Sequence, residues 1–172
     1  MSFRVARIVF LSVMSPALGP ALQAQAAGQW ACRADSLAGF NCAHYYNGTV
    51  TLTSELTGSV HQTHKVVATV SGGRVICRVS GSDVAEFEAP GMVAVVHEAT
   101  LVVGGGYSIS IWCPEEAGAR PNRRDEPQIK IEGKSAATYA TLEGKDSYEN
   151  PEADAANGIS GTVTVTWTLR RS

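Results

Sequence analysis

Residues 162–169 read Thr-Val-Thr-Val-Thr-Trp-Thr-Leu, and this strict alternation decides the fold class. Successive side chains of a β-strand point to opposite faces, so the apolar residues of this stretch share one face and its threonines share the other. A strand of this kind buries one face and wets the other, which is typical of antiparallel sheets. The stretch therefore predicts an antiparallel sheet whose core contains Val163, Val165, Trp167 and Leu169.

The same alternation recurs along the chain from residue 48 onward. Residues 48–53 place Val50 and Leu52 on one face and threonines on the other. Turn-forming pairs such as Asn47-Gly48 and Gly72-Gly73 separate the apolar runs, and no stripe of helical period is present. Seven or eight short strands predict a single antiparallel β-sandwich, immunoglobulin-like in a loose architectural sense, with a small β-barrel as the alternative. Further strands are expected at 60–70, 74–80, 92–103, 107–113, 128–133 and 136–142.

The N-terminal residues have the features of a secretory signal peptide. Two arginines precede a short apolar segment at 8–14, and Ala24-Gln25-Ala26 offers small residues at the positions that a signal peptidase recognises. The apolar segment is much shorter than the roughly 20 residues that a membrane-spanning helix needs. We therefore expect a cleaved signal peptide over 1–26, a single disulfide-stabilised β domain over 27–172, and a periplasmic or secreted location.

The charge balance bears on the kind of partner. The chain has 14 basic and 16 acidic residues, and removal of Arg4 and Arg7 with the signal peptide leaves 12 against 16, a net charge of −4. Nucleic acids and anionic membrane surfaces are bound by clustered lysines and arginines. We therefore expect no nucleic-acid partner, and no membrane span once the signal peptide is cleaved.

All four cysteines lie in the expected mature domain, and an even number in an exported chain predicts disulfides. Cys77 and Cys113 each lie on the apolar face of a predicted strand, which favours a core disulfide between them. Cys32 and Cys42 are close in sequence and would form the second. The alternative use of these residues is a zinc site with Cys42 and His44, but no C-x-x-C spacing supports it.

Two long segments between strands, 114–127 and 143–158, are predicted to be loops, and loops of this length are frequently functional. The second segment is acidic and ends in Asn157-Gly158. Carboxylate and amide oxygens are the ligands that calcium prefers, although the spacing is not that of an EF-hand. A solvated loop is the alternative. The candidate calcium ligands are Asp146, Glu149, Glu152, Asp154 and Asn157.

Aromatic and basic residues near the first segment are candidates for ligand binding. Trp112 alternates away from the apolar face of its predicted strand, which would expose its ring, and exposed aromatic rings provide stacking surfaces for sugars or proteins. The alternative is that both faces of this strand are covered. The candidate ligand-binding residues are Trp112, Tyr45, Tyr46, Arg120, Arg123 and Arg124.

Sequence motifs of catalysis are absent. The chain has no G-x-S-x-G elbow, and Gly104-Gly105-Gly106 is not followed by the lysine of a phosphate-binding loop. This favours a non-catalytic binding or interaction module without a cofactor, whose loops 114–127 and 143–158 recognise a protein or glycan outside the cytoplasm. The alternatives are a structural subunit of a surface appendage or coat, assembled through edge strands, and a hydrolase with a dispersed active site.

Overall fold

The computed structural model describes residues 33–36, 39–98, 106–134 and 140–172. The expected signal peptide at 1–26 lies outside these ranges. Two 3-10 turns, Ala43–Tyr45 and Ala155–Asn157, and ten strands form within them. The strands are β1 (Arg33–Ser36), β2 (Gly39–Asn41), β3 (Tyr46–Gly58), β4 (Gln62–Ser71), β5 (Arg74–Gly81), β6 (Phe87–Glu98), β7 (Gly106–Trp112), β8 (Ile129–Lys134), β9 (Thr141–Glu149) and β10 (Ile159–Arg171).

All pairings between these strands are antiparallel, and they join into one curled sheet, a half-barrel. The main path runs β1-β2-β6-β5-β4-β3-β10-β9, and β7 and β8 extend it from β6. The curl is centred on β6, whose first half pairs with β5 up to Gly91 and whose second half pairs with β7 from Met92 onward. The predicted all-β antiparallel class is confirmed. No helix in the described ranges is long and apolar enough to cross a membrane.

The alternating stretch that decided the fold class forms β10, which lies between β3 and β9. Its apolar residues are buried in the core and its threonines lie on the outer face, as predicted. β3 pairs with β10 along thirteen residues, so Val50 and Leu52 join the same core and the threonines of β3 lie beside those of β10. One face of β3 and β10 therefore carries the core, and the other face of these two strands carries mainly threonine.

The core disulfide between Cys77 and Cys113 is confirmed, with Cα atoms 5.8 Å apart. It joins β5 to the residue that follows β7, across the curl. Gly91 lies beside it: a Cβ atom at this position would be 2.6 Å from the Cys77 sulfur and 2.8 Å from the Trp112 carbonyl oxygen. Glycine is therefore needed at the point where β6 stops pairing with β5 and begins to pair with β7. The other predicted bond, Cys32–Cys42, lies outside the described residues because Cys32 does.

Two aromatic residues meet in the interior of the curl. The Trp167 indole N–H of β10 donates a hydrogen bond to the Tyr107 hydroxyl of β7, with 3.0 Å between nitrogen and oxygen. Each ring lies against a glycine that is its direct partner on the neighbouring edge strand, Gly144 for Trp167 and Gly133 for Tyr107. A Cβ atom at either glycine would overlap the ring. The absence of these two side chains makes room for the aromatic pair.

A second buried polar pair lies between β3 and β6. The Tyr46 hydroxyl is 3.0 Å from Nε2 of His97, and the two residues are 1% and 3% exposed. Burial, and then the positive charge of Arg171, lower the pKa of His97 from 6.5 to about 4. His97 is therefore uncharged at neutral pH, and the core contains no buried imidazolium there.

Several predicted boundaries are wrong. Asn47-Gly48, expected as a turn, lies inside β3. Of the strand expected at 136–142, residues 136–139 lie outside the described ranges and 141–142 begin β9. The segment 143–158 is not one loop, because 143–149 belongs to β9, which pairs with β10 from Thr141↔Arg170 to Glu149↔Thr162. The sequence of β9 resembles that of a loop because an edge strand keeps polar side chains on its exposed surfaces. The strand expected at 92–103 begins earlier, at Phe87, since Pro90-Gly91 is not a turn but the point where β6 changes partner.

We expect Gly144→Ala to destabilise the protein by about 1–3 kcal/mol, because the new methyl group overlaps the Trp167 ring. At an unhindered strand position the same change would be neutral or stabilising, since glycine weakens strands. Urea unfolding measures the difference, and Lys145→Ala, at the exposed neighbouring position, is the matched control with an effect within about 0.5 kcal/mol. An equal or higher stability of the Gly144→Ala variant would contradict the close packing of this pair.

We expect protonation of His97 to destabilise the fold between pH 6.5 and 4. The unfolded chain takes up a proton near pH 6.5 and the folded chain only near pH 4, so stability is greatest above 6.5 and is lost as pH falls through this window. At about 1.4 kcal/mol per pKa unit, a shift from 6.5 to about 4 gives the loss an upper bound of roughly 3–4 kcal/mol.

The measurement is urea unfolding across this pH window, compared with His97→Gln, which does not titrate, and with the control His61→Gln at an exposed site. If His97→Gln does not fold, an NMR titration of the His97 imidazole in the unmodified protein measures its pKa directly. A His97 signal that titrates near pH 6.5 in the native protein would refute the prediction.

Candidate functional site

The segment 113–128, between β7 and β8, folds back over the end of β7. The Trp112 indole N–H donates to the backbone carbonyl of Asp125 at 2.8 Å, and the Cys113 backbone N–H donates to the Gln128 side chain at 2.7 Å. Each of the two bonds joins the start of the segment to a residue near its end, and the Cys113 disulfide fixes its start. The loop is thereby held against the strand from which it departs.

Trp112 is covered by this loop and is half-buried. The Arg123 guanidinium carbon lies 5.9 Å from the centroid of its ring, within the range of a cation–π contact. Trp112 does face away from the core, as the alternation predicted, because Ile109 and Ile111 of the same strand are fully buried on the inner face. The outer face of β7 at this position is nevertheless covered, which agrees with the alternative expectation.

A concave surface of about 770 Å³ lies inside the 113–128 segment. Its charged lining consists of four carboxylates and the single guanidinium of Arg120, whereas Arg123 and Arg124 lie outside it. All three arginines are exposed, and none forms an ion pair within the described ranges. The segment thus presents an acidic concavity and a separate basic edge. The carboxylates are Glu115, Glu116, Asp125 and Glu126.

The two candidate tyrosines lie elsewhere. The half-buried Tyr45 packs against the core cluster and has the Arg171 guanidinium carbon 5.2 Å from its ring centroid. Tyr46 is in the core with His97 and offers no stacking surface. Neither tyrosine lines the concavity of the 113–128 segment. The six residues singled out from the sequence are therefore not brought together into one surface.

The remainder of the second predicted loop, residues 150–158, is a turn held by its own polar side chains. The buried Asn150 donates to the Ser54 hydroxyl at 2.8 Å and accepts from the Glu152 backbone N–H at 3.0 Å. The Asp154 carboxylate accepts from the Ala156 and Asn157 backbone N–H groups and from the Asn157 side-chain amide. These bonds, that of the Asn157 side chain above all, lower the pKa of Asp154.

The candidate calcium ligands are distributed rather than clustered. In β9, Asp146 lies opposite the inward Val165 and Glu149 lies opposite the outward Thr162, so the two carboxylates belong to opposite faces of the sheet. Asp154 uses its oxygens to cap the turn. No group of three or more histidine, cysteine or acidic side chains placed to hold a metal is present in the described ranges. Calcium binding by these residues stays a prediction.

A second concavity, of about 190 Å³, was not predicted from the sequence. It lies where β3, β4, the connection between β5 and β6, and the 150–158 turn meet. Ser54 and His64 are direct partners in neighbouring strands, and His64 is in turn opposite Gly81, whose missing side chain leaves space beside Asp83. We name this site the end pocket; it is lined by Ser54, Leu56, Gln62, His64, Asp83, Val84 and Glu152.

One sequence signal for the end pocket was available. The inward positions of β3 and β4 are apolar along most of each strand but become polar at their adjoining ends, at Ser54, Gln62 and His64. A half-buried strand that continues its alternation with polar inward residues indicates a solvent-filled site at that end of the core.

Comparisons with known proteins give no relative for this chain. No protein-family model, no curated protein and no solved structure matches it. Inference of function therefore depends on the residues and geometry of the chain itself.

Proposed function

We propose that this protein is an exported binding module, not an enzyme, that recognises a protein partner through the 113–128 segment. The observation that carries the proposal is the Arg123–Trp112 contact, which places exposed guanidinium groups beside the acidic concavity. Arginine and tryptophan are the residues most often enriched at the energetic centres of protein interfaces. Their proximity on a tethered loop supports recognition at this place.

The mixed charge of the segment favours a protein over other partners. A polyanion would be repelled by Glu115, Glu116, Asp125 and Glu126, and a polycation by the arginines. A protein surface can present both signs, and charge complementarity of this kind determines specificity and association rate. A glycan partner, which the sequence left open, offers no such pattern of alternating charge.

Export is proposed from two independent features. The N-terminal residues have the composition of a signal peptide, and disulfides persist in oxidising compartments. The Cys77–Cys113 bond is compatible with that environment.

The proposal also includes a β-sandwich arrangement. The part of the curled sheet around β10 and the part around β7 would act as two facing layers, which is supported by the Trp167–Tyr107 contact across the interior.

Assembly into an appendage through edge strands is less well supported. Within the described ranges β8 pairs only with β7 and offers one edge for strand addition, and the outer edge of β9, which pairs only with β10, offers another. This edge strand carries Glu143, Lys145, Asp146 and Glu149, and charged residues protect edges from pairing with other chains. We therefore favour the binding module.

The test is partner capture by the immobilised mature chain from cell-envelope extract, with the double variant Arg123→Ala/Arg124→Ala. We expect a specific protein to bind the unmodified chain and to bind the variant about tenfold more weakly, because two exposed guanidinium groups are removed. The matched control is Lys130→Ala/Arg170→Ala, which removes the same charge elsewhere and should bind normally. Equal capture by both variants, or no captured protein, would exclude the proposal.

The Trp112 indole hydrogen bond should determine how firmly the loop is held. We expect Trp112→Phe to lose about 0.5–1.5 kcal/mol of local stability, since the Asp125 carbonyl loses its donor. Because local opening lets the backbone at Arg123 and Arg124 enter a protease active site, trypsin should cleave after these two residues up to about tenfold faster. Limited proteolysis measures the rate, and an unchanged cleavage rate at these arginines would show that the bond does not hold the loop.

A further inference from the structure

We propose that the end pocket binds a small hydroxyl-bearing ligand of the size of one sugar ring. This goes beyond the protein-binding role of the 113–128 segment, since no residue lines both concavities. The site is formed by side chains from separate parts of the chain that converge at one end of the curled sheet, a location typical of small-molecule sites in β-structures.

The first argument is that the polar side chains of the pocket have no partners within the protein. Gln62, His64, Asp83 and Glu152 form no side-chain hydrogen bond or ion pair within the described ranges. Four such groups facing one volume have their hydrogen-bonding capacity available for water or for a ligand. A ligand that replaces the water must offer both donors and acceptors.

The second argument is the balance of donors and acceptors. The Asp83 and Glu152 carboxylates act mainly as acceptors, whereas the Gln62 amide offers both N–H donors and an acceptor, and the His64 imidazole offers at least one N–H donor. A hydroxyl group both donates and accepts, so adjacent hydroxyls of a sugar or polyol can satisfy both kinds of group. An ammonium ion would be attracted by the carboxylates but could not accept from the amide or the imidazole.

The third argument is that part of the pocket is already held in place. The buried Asn150 donates to the Ser54 oxygen at 2.8 Å, which leaves the Ser54 hydroxyl hydrogen available to another acceptor. The other end of the same amide holds the Glu152 backbone N–H at 3.0 Å. One buried side chain thus fixes two parts of the lining, and a preorganised site loses less entropy when a ligand binds.

The fourth argument is the size and the apolar part of the lining. A volume of about 190 Å³ lies below the roughly 300–1,000 Å³ that is usual for sites of drug-sized ligands, which suits a single ring rather than a polymer. Leu56 is 6% exposed and Val84 packs against the core, so together they supply an apolar surface for the C–H groups of such a ring. The polar groups around it would determine orientation.

The experiment is an NMR titration of the isotope-labelled mature chain with methyl α-glucoside, methyl α-galactoside and N-acetylglucosamine, and separately with butylammonium. We expect at least one sugar to give saturable shifts at Leu56, His64 and Val84, and butylammonium to give none there. The double variant Asp83→Asn/Glu152→Gln should bind that sugar about tenfold more weakly, equivalent to about 1.4 kcal/mol.

The matched control is Glu143→Gln/Glu149→Gln, which removes the same charge from the outer face of β9 and should bind like the unmodified chain. The proposal is overturned if no sugar shifts these signals, if only butylammonium does, or if the pocket variant binds as tightly as the control. Arg123→Ala/Arg124→Ala should leave sugar binding unchanged, so failure of the end pocket and failure of the protein-binding segment are distinguishable.

Discussion

The hydrogen bond between the Trp167 indole and the Tyr107 hydroxyl is the interaction on which the curl of the sheet depends. Burial of two large aromatic rings releases much apolar surface from water, but it also buries two polar atoms that need partners. Here each polar atom satisfies the other. The rings fit because Gly144 and Gly133, their direct neighbours on the two edge strands, have no side chains. The register of the strands, the packing of the rings and the hydrogen bonding of their polar atoms therefore depend on one another. The contact joins β10 and β9 on one side of the curl to β7 and β8 on the other.

The fold was predictable from the sequence where its signal is local. Alternation with a period of two depends only on neighbouring residues, so β3, β10, the inward Cys77 of β5 and the inward Cys113 directly after β7 were predictable from the sequence. The course of β6 was not predictable in this way, because its length depends on two different partners that meet at Gly91. Most of β9 was missed, since the strand expected at 136–142 reaches only its first two residues. An edge strand carries charges on both faces, and only its register with β10 distinguishes it from an acidic loop.

The candidate sites were less predictable than the fold. The 113–128 segment was identified by its prolines and charges, but the cover of Trp112 depends on a bond to a backbone carbonyl thirteen residues away, which composition does not encode. The end pocket is lined from four regions of the chain, and its key spatial relation, Ser54 opposite His64, is set by strand register. Distances of this kind arise only when strands pair, so residue types indicated where the two sites lie but not their geometry.

The two sites should behave independently because the rigid core lies between their supports. The 113–128 segment is fixed by the Cys77–Cys113 bond at its start and by Gln128 at its end, whereas the end pocket is held by Asn150 and the paired ends of β3 and β4. Changes at sites that share no partner are usually additive in free energy. The architecture therefore supports two separate recognition surfaces on one scaffold, each open to variation without loss of the other.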